Sequence, residues 1–175
     1  KGKYKNILLE GCEPSKVNFD FFEQKKREEE GISIKTHKET FQNVKTNNRF
    51  DFITAIYVFP HFLSEEFEQI VQKIHSMLNE KGKFILTVAN QEYIEKKLDR
   101  EEDLFIEKRK ITYNGKQYGE TLHYSDIPEI GKIVDYNREE SYYLDLFKNN
   151  NFDLVSKEDI NDNGFIGTLF VFQKK

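Results

Sequence analysis

The sequence has few of the residues that mark secreted or membrane proteins. Its 175 residues include one cysteine, no tryptophan, one methionine and three prolines. The lone Cys12 cannot form an internal disulfide, and its place in an apolar run predicts a buried thiol, so we expect a protein of the reducing cytoplasm. No apolar run approaches the roughly 20 residues of a membrane-spanning helix, and no secretory leader is present, so we expect no membrane partner.

An excess of positive charge is also missing. The chain has 27 Lys and Arg against 31 Asp and Glu, which gives a net charge of -4. Proteins that bind nucleic acid in bulk need a basic face, so we expect no such partner. Nothing in the sequence indicates an oligomeric state.

Aromatic residues are abundant instead. The chain has 16 Phe and 9 Tyr, and hydrophobic residues make up 37% of it. Because each ring buries a large area, we expect an aromatic core. The length fits one domain over residues 1–175.

Two apolar runs end in polar residues. Ile7–Cys12 is followed by Glu13 and Pro14, and Phe52–Val58 is followed closely by His61. Proline cannot donate to a strand ladder, so we expect the first strand to stop at Pro14. In open α/β sheets small ligands bind at the carboxyl ends of the strands, and we therefore expect the functional site at this edge.

The other elements follow from apolar spacing and turn residues. Ser64, with two glutamates behind it, predicts a helix start at which its hydroxyl caps the backbone, and Lys81-Gly82 predicts the end. Strands on both sides of this helix predict a right-handed parallel crossover. The remaining predictions are a helix capped by Ser15 and ended by Gly31, a strand at Ile32–Ile34, helices at 91–100 and Glu139–Lys148, a hairpin around Asn114-Gly115, a strand at Phe84–Val88 and two final strands at Phe152–Val155 and Phe165–Phe172. The last two strands must be antiparallel, because Asn161–Gly164 is too short for a parallel return.

Three segments together resemble the class I S-adenosylmethionine-dependent methyltransferases. Gly11–Ser15 matches the end of the family's second strand, where an acidic residue before Pro-Ser holds the cofactor ribose. Phe50–Phe62 matches a Phe-Asp-hydrophobic-Ile strand followed by small residues and a His. Leu78–Ile85 matches a Leu-x-x-x-Gly-Gly-x-hydrophobic segment, with Lys83 in place of the second Gly. The resemblance implies an α/β fold that is three-layer and Rossmann-like, with a mostly parallel sheet and an antiparallel last strand.

One family motif is missing. If Ile7–Cys12 is the second strand, the glycine-rich loop that follows the family's first strand has no counterpart in the sequence. We therefore expect an N-terminal segment of the working protein that this sequence omits. A rival alignment makes Ile7–Cys12 the first strand with a degenerate glycine loop, and it predicts poor cofactor binding.

The resemblance assigns cofactor contacts position by position. Glu13 corresponds to the ribose-binding acid, where a carboxylate can accept hydrogen bonds from both ribose hydroxyls, although an ordinary surface Glu near a helix end would look the same. The full set of implied cofactor positions is Glu13, Pro14, Ser15, then Glu39, Thr40 and Phe41 near the adenine, and Ala55 and Ile56 at the amino-acid end.

The resemblance also implies which residues contact the methyl acceptor. In the family, the region corresponding to about residues 101–138 covers the substrate, and Tyr118, His123 and Tyr124, together with Tyr57, are the implied substrate contacts. Aromatic rings can stack on a planar substrate or enclose a methyl cation, or they can simply complete the core. His61 is the catalytic candidate, either as a general base or as a structural histidine packing on the next helix. The four histidines lack metal-site spacing, so we predict no metal.

These observations predict methyl transfer from S-adenosylmethionine to a small-molecule acceptor. The missing glycine loop leaves an alternative, a non-catalytic binding or assembly module of methyltransferase fold. A nicotinamide-dependent Rossmann domain also places an acid after its second strand, but the antiparallel final pair argues against it.

Overall fold

The computed structural model describes residues 7–28, 32–98, 104–127, 131–162 and 165–175. The chain divides into two compact units, Lys1–Asn47 and Asn48–Lys175. Each unit contains one parallel pair of strands. Helices and parallel strands in both units agree with the predicted α/β class. The arrangement in three layers goes beyond what either unit shows by itself and remains a prediction.

The first unit is a β-α-β element. It consists of β1 (Leu8–Cys12), α1 (Lys16–Glu28) and β2 (Ser33–His37), and the two strands pair in parallel. The Ser15 hydroxyl accepts a hydrogen bond from the Asn18 N–H at 3.5 Å, which confirms Ser15 as the helix cap. The thiol of Cys12 is exposed, so the prediction of a buried cysteine is wrong. Cys12 is the last residue of a strand that is only partly covered.

The second unit is built around a four-stranded sheet. Its strands are β3 (Phe50–Ile56), β4 (Leu78–Ala89), β8 (Phe152–Asp162) and β9 (Phe165–Lys174), in the spatial order β3-β4-β9-β8. β3 and β4 are parallel and are joined through helix α2 (Ser64–Met77). β9 is antiparallel to both of its neighbours. The parallel connection between β3 and β4 and the antiparallel last strand agree with the prediction. The expected mostly parallel sheet is not found in this unit, because two of the three strand pairings in its four-stranded sheet are antiparallel.

The start of α2 differs from its prediction. Leu63 occupies the N-cap position, and its N–H donates to the Glu66 carboxylate at 3.1 Å. The Ser64 hydroxyl does not cap the helix but donates to the carboxylate of Glu120 at 3.1 Å. The Ser64 hydroxyl therefore binds the buried carboxylate of Glu120 instead of capping the helix.

The end of α2 also differs. The helix stops at Met77 rather than at Lys81-Gly82. The pairing of β3 with β4 has an irregularity between Leu78 and Lys83, and Lys81 there adopts a φ of 62°. Apolar residues recur along α2 at spacings of three and four; of these, Met77 is half-buried, and the others are fully buried, namely Phe67, Ile70, Val71, Ile74 and, just after the helix, Leu78.

A separate three-stranded antiparallel sheet follows. It consists of β5 (Phe105–Tyr113), β6 (Lys116–Ile127) and β7 (Gly131–Arg138), in that order. Asn114 and Gly115 form the predicted hairpin turn, with φ values of 48° and 77°. A positive φ at both central residues is characteristic of a type I′ turn. β7 has no counterpart among the sequence predictions.

The core of the second unit is aromatic, as predicted. Phe147 of α4 (Glu140–Asn149) stacks on Phe172, with 4.1 Å between ring centroids, and on Phe84, with 5.3 Å. Phe59, in a short 3₁₀ helix (Phe59–His61), stacks on Phe67 at 5.2 Å. All of these rings are almost fully buried. α4 therefore packs on the sheet face that contains Phe84 and Phe172.

The remaining helix, α3, spans Gln91–Leu98. Residues 99 and 100 of its prediction, Gly31 at the predicted end of α1, and Asn163 and Gly164 of the predicted connection lie outside the described residues. None of the described helices is long and apolar enough to cross a membrane.

Candidate functional site

Glu13 lies directly after β1 in the first unit. One carboxylate oxygen, Oε1, accepts a hydrogen bond from the backbone N–H of Ser15 at 2.7 Å, and the Glu13 N–H donates to the His37 carbonyl at 3.0 Å. Within the part of the chain that the structure describes, no group is bonded to its Oε2. The backbone N–H of Ser15, just before α1, thus holds the carboxylate at the strand end and leaves its Oε2 available to a ligand hydroxyl.

Glu39, Thr40 and Phe41 follow β2 in the same unit. They form the start of a turn in which the Asn43 N–H donates to the Thr40 carbonyl at 2.9 Å. The side chains of Glu39 and Thr40 are exposed, and that of Phe41 is half-buried. Because β1 and β2 are parallel, Glu13 and this turn lie at the same edge of the two-stranded sheet.

In the second unit the end of β3 presents Ala55, Ile56 and Tyr57. Ile56 is 59% exposed, which is unusual for an isoleucine in a strand. Tyr57 adopts a φ of 55°, and its N–H donates to the Thr87 carbonyl at 2.9 Å. A positive φ is strained for a tyrosine, and strained residues of this kind cluster at functional sites. A Cβ on Gly167 would lie 2.5 Å from the Tyr57 hydroxyl, so glycine leaves room for that ring.

A pocket of about 350 Å³ lies beyond the carboxyl end of β4. Val88 and Asn90 contribute from that end, and the charged lining residues are Glu92, Glu95, Arg138 and Glu140. Each of the three carboxylates is paired with a lysine, at distances of 2.6, 3.1 and 2.7 Å. The pocket has the size of a small-molecule site, which is about 300–1,000 Å³, and its charge is nearly balanced.

Arg138 belongs to a row of charges across the three-stranded sheet. Glu120 lies opposite Arg109 on β5 and opposite Arg138 on β7. Its carboxylate contacts Nε of Arg138 at 2.7 Å and Nε of Arg109 at 2.6 Å, and the side chains of Glu120 and Arg138 are completely buried. The Arg138 guanidinium also donates to the Phe62 carbonyl at 2.8 Å and lies over the Phe67 ring at 4.3 Å. This pair fixes one wall of the pocket.

The side chain of the catalytic candidate His61 lies against that of Asp135. Its Nδ1 lies 2.7 Å from Oδ1 of Asp135, and the two side chains are 39% and 13% exposed. Ser125 donates to the other oxygen of Asp135 at 2.5 Å. Burial raises the pKa of Asp135, but the nearby His61 ring and the hydrogen bond from Ser125 outweigh it, so the pKa lies below its ordinary value of 3.8. The carboxylate is therefore charged at neutral pH.

This pKa shift predicts a pH-dependent contribution to stability. Because the folded-state pKa is lowered, the carboxylate of Asp135 stabilises the fold fully above its unfolded pKa, and this stabilisation is lost as the pH falls through the folded pKa. We expect Asp135→Asn to lower the free energy of unfolding by about 1–3 kcal/mol at pH 7. Urea unfolding from pH 7 to pH 3 should show the difference from wild type shrinking toward acid; a constant difference would contradict the assignment.

Of the four predicted substrate contacts, the three that lie on β6 differ in exposure. Tyr118 is 2% exposed, and its hydroxyl donates to Asp145 at 2.6 Å, which fits a tyrosine that completes the core. His123 is 3% exposed, and its Nδ1 lies 2.9 Å from the Asn137 amide nitrogen. Tyr124 is more than one third exposed, with Lys132 over its ring at 5.7 Å.

Sequence reasoning missed Asp135, Ser125, Glu120 and Arg138. Charged residues in a polar stretch look like surface residues, and only strand pairing reveals which of them face each other. No group of three or more His, Cys, Asp or Glu side chains in the described ranges could hold a metal ion.

Several solved structures have the same fold. The chain aligns over 94% of its length, at 13% identity and a TM-score of 0.62, with a S-adenosylmethionine-dependent methyltransferase from Clostridium acetobutylicum ATCC 824, and spans 74% of that chain. With magnesium protoporphyrin IX methyltransferase (ChlM) from Synechocystis PCC 6803 with bound SAM, the chain aligns over 96% of its length at 12% identity and a TM-score of 0.62, and it spans 60% of that chain. With the glycopeptide N-methyltransferase MtfA complexed with S-adenosylhomocysteine, the chain aligns over 95% of its length at 12% identity and a TM-score of 0.66, and it spans 73% of that chain. These likenesses show a Rossmann-like α/β fold.

The sequence itself also matches a family. A family model described as a methyltransferase domain matches residues 4–157. No curated protein sequence matches the chain. The family match covers most of the chain, and its range includes the segments around Glu13, Asp51 and His61. The chain therefore belongs to the S-adenosylmethionine-dependent methyltransferases, enzymes whose cofactor is S-adenosylmethionine.

Proposed function

We propose that this chain transfers the methyl group of S-adenosylmethionine to a small-molecule acceptor in the cytoplasm. The family match over residues 4–157 supports this most strongly, and it favours an enzyme over a non-catalytic module. The pocket of about 350 Å³ at the end of β4 supports an acceptor of modest size. The structural neighbours include methyltransferases named for magnesium protoporphyrin IX and for a glycopeptide, so the fold accepts unrelated acceptors and does not by itself select one.

The cofactor supplies a methyl carbon that a positive sulfur already activates. Positioning and exclusion of water therefore provide much of the rate, and the protein needs few chemically reactive groups. This agrees with a site in which backbone bonds orient single side chains, as the Ser15 N–H orients Glu13.

In the first unit the proposal assigns the ribose to Glu13. Its Oε1 is bonded to the Ser15 N–H, which leaves Oε2 and one lone pair of Oε1 for hydroxyl donors. Pro14 and Ser15 hold the turn, and the cap made by Ser15 fixes the helix that follows. The proposal places the adenine near Glu39, Thr40 and Phe41, whose side chains are exposed or half-buried after β2.

In the second unit the proposal assigns Ala55 and Ile56 to the amino-acid end of the cofactor. The exposed side chain of Ile56 supports this assignment, because an apolar part of the ligand could pack against it. The proposal gives Tyr57 and Tyr124 direct contacts with the methyl acceptor. The segment of about residues 101–138 would cover the bound acceptor. Tyr118 and His123 are buried, so the proposal gives them a supporting role instead of a direct contact.

Replacing Glu13 tests the ribose assignment. We expect Glu13→Ala to weaken the binding of S-adenosylhomocysteine by about 1–3 kcal/mol, since a charged acceptor of hydrogen bonds is lost. Isothermal titration calorimetry measures the change. Asp20→Asn is the control, because Asp20 is an exposed acid in the same unit, on the helix α1 that follows Glu13. Equal affinities of Glu13→Ala and wild type would contradict the assignment.

A further inference from the structure

A buried carboxylate in the first unit has no part in the assignments above. Glu10 lies in the middle of β1, directly opposite Lys35 of β2, and its side chain is 5% exposed. Carboxylates are almost never buried to this extent unless they are paired. The Lys35 Nζ is 3.8 Å from Oε2 of Glu10, but the lysine side chain is exposed and stabilises the carboxylate only weakly. The closer partners of Glu10 therefore show what this charge holds in place.

The two oxygens of the Glu10 carboxylate contact residues on either side of one segment. Nε2 of His37, the last residue of β2, lies 3.0 Å from Oε2. The Thr46 hydroxyl donates to Oε1 at 3.3 Å. The residues between these two partners, 38–45, include the three that are proposed to lie near the adenine. One carboxylate on β1 thus holds both ends of the 38–45 segment.

The 38–45 segment, all of which the structure describes, contains a turn but no helix or strand. Its hydrogen bonds include those from the Asn43 N–H to the Thr40 carbonyl at 2.9 Å and from the Val44 N–H to the Phe41 carbonyl at 3.3 Å. Val44 is buried, whereas most other side chains of the segment are exposed. A turn with exposed side chains depends on the attachment of its ends for a defined conformation.

His37 also connects this segment to Glu13. The His37 carbonyl accepts a hydrogen bond from the Glu13 N–H at 3.0 Å, while the His37 ring contacts Glu10. The residue proposed to bind the ribose is therefore tied to the residue at which the 38–45 segment begins. The ribose and the adenine of one cofactor are covalently joined, so their binding residues must keep a fixed separation. The contacts of His37 and Glu10 maintain that separation within the first unit.

We propose that Glu10 is a positioning residue of the cofactor site, which holds the 38–45 segment in the conformation that binds the adenine. This rests on the proposed function and adds Glu10, His37 and Thr46 to it. A ligand that has to order a flexible segment loses part of its binding free energy to conformational entropy. Because the Glu10 contacts order the segment when the protein folds, the cofactor meets a preformed adenine site.

Thr46→Val removes one of these contacts with little change in side-chain shape. We expect the Kd for S-adenosylhomocysteine to rise about tenfold, which corresponds to about 1.4 kcal/mol. Adenosine, which has the adenine and the ribose but not the amino-acid end, should lose affinity by the same factor. Isothermal titration calorimetry of the whole chain measures both ligands.

Thr36→Val is the matched control. The Thr36 hydroxyl also donates to a glutamate of the first unit, Glu23 of α1. This bond lies on the α1 face of the two strands, because a Cβ on Gly11, opposite Thr36, would lie 3.4 Å from the Phe22 ring of α1. Thr36→Val removes the same chemical group without removing a contact of the 38–45 segment. We therefore expect the wild-type affinity for S-adenosylhomocysteine.

Two substitutions of Glu10 itself separate positioning from general stability. In Glu10→Gln the amide can still accept a hydrogen bond from the Thr46 hydroxyl and can donate one to the His37 ring, whereas Glu10→Ala offers neither bond. We expect Glu10→Gln to bind S-adenosylhomocysteine within about threefold of wild type, and Glu10→Ala to bind it about tenfold more weakly or worse. Rescue by the conservative variant is the result that a loss of packing alone would not give.

The outcomes distinguish this proposal from the proposed function. Wild-type affinity in Thr46→Val would overturn the positioning role and leave the proposed function intact. Equal losses in Thr46→Val and Thr36→Val would also overturn it, since they would reflect a general destabilisation of the first unit. A folded wild-type protein that fails to bind S-adenosylhomocysteine would instead overturn the proposed function, and this proposal with it.

Discussion

Replacing Glu120 by Gln should lower the free energy of unfolding by about 3–5 kcal/mol, because it removes one partner of a buried ion pair. The carboxylate is completely buried and lies 2.7 Å from Nε of Arg138, whose side chain is equally buried. Arg109 approaches its other oxygen at 2.6 Å. Without the carboxylate, Arg138 keeps a buried positive charge with only neutral acceptors around it. Urea unfolding of the variant measures the loss.

Glu107→Gln is the matched control. Glu107 also pairs with Arg109, at 3.4 Å, but the two side chains are 49% and 42% exposed. Exposed pairs contribute less than about 1 kcal/mol. If Glu120→Gln and Glu107→Gln had equal effects, the row of charges across the sheet would not stabilise this unit in the way described.

Phe147→Ala should also lower the free energy of unfolding by about 3–5 kcal/mol, since it removes a buried ring and leaves a cavity. Phe147 stacks on Phe172 and Phe84 and meets Phe152 edge to face, with 5.4 Å between centroids. It joins α4 to three strands of the sheet. Chemical denaturation, with the slope m recorded as well as the midpoint, measures the loss.

Phe52→Ala is the control for this variant. Phe52 is in the same unit, on β3, but is 62% exposed. We expect a loss below about 1 kcal/mol, from strand propensity alone. An effect of Phe147→Ala no larger than that of Phe52→Ala would contradict the aromatic core as described.

The elements that the sequence predicts well are those that local chemistry determines. Pro14 after β1, Ser15 before α1 and the Asn114-Gly115 turn each act on their own backbone, and all three have the predicted role. The end of α2 was mispredicted because Lys81-Gly82 has the local signature of a helix end. Leu78 pairs with Phe50 of β3 and begins β4, so residues 78–82 are strand and not the last turn of the helix. No local signal in the sequence reports that pairing.

The candidate site divides in the same way. Glu13 and His61 were found because each follows an apolar run at a strand end. Asp135 lies far from His61 in the sequence and has no motif around it, and β7, which presents it, was not predicted. Glu120 and Arg138 are charged residues in a polar stretch, and their burial follows only from the pairing of β6 with its two neighbours. Contacts between distant strands are thus what sequence reasoning could not supply.

Calorimetric titration of the full-length protein with S-adenosylhomocysteine is the most direct measurement. The account predicts saturable binding of one molecule per chain, weakened by Glu13→Ala and unaffected by Asp20→Asn. An absence of binding to a folded wild-type protein would contradict it.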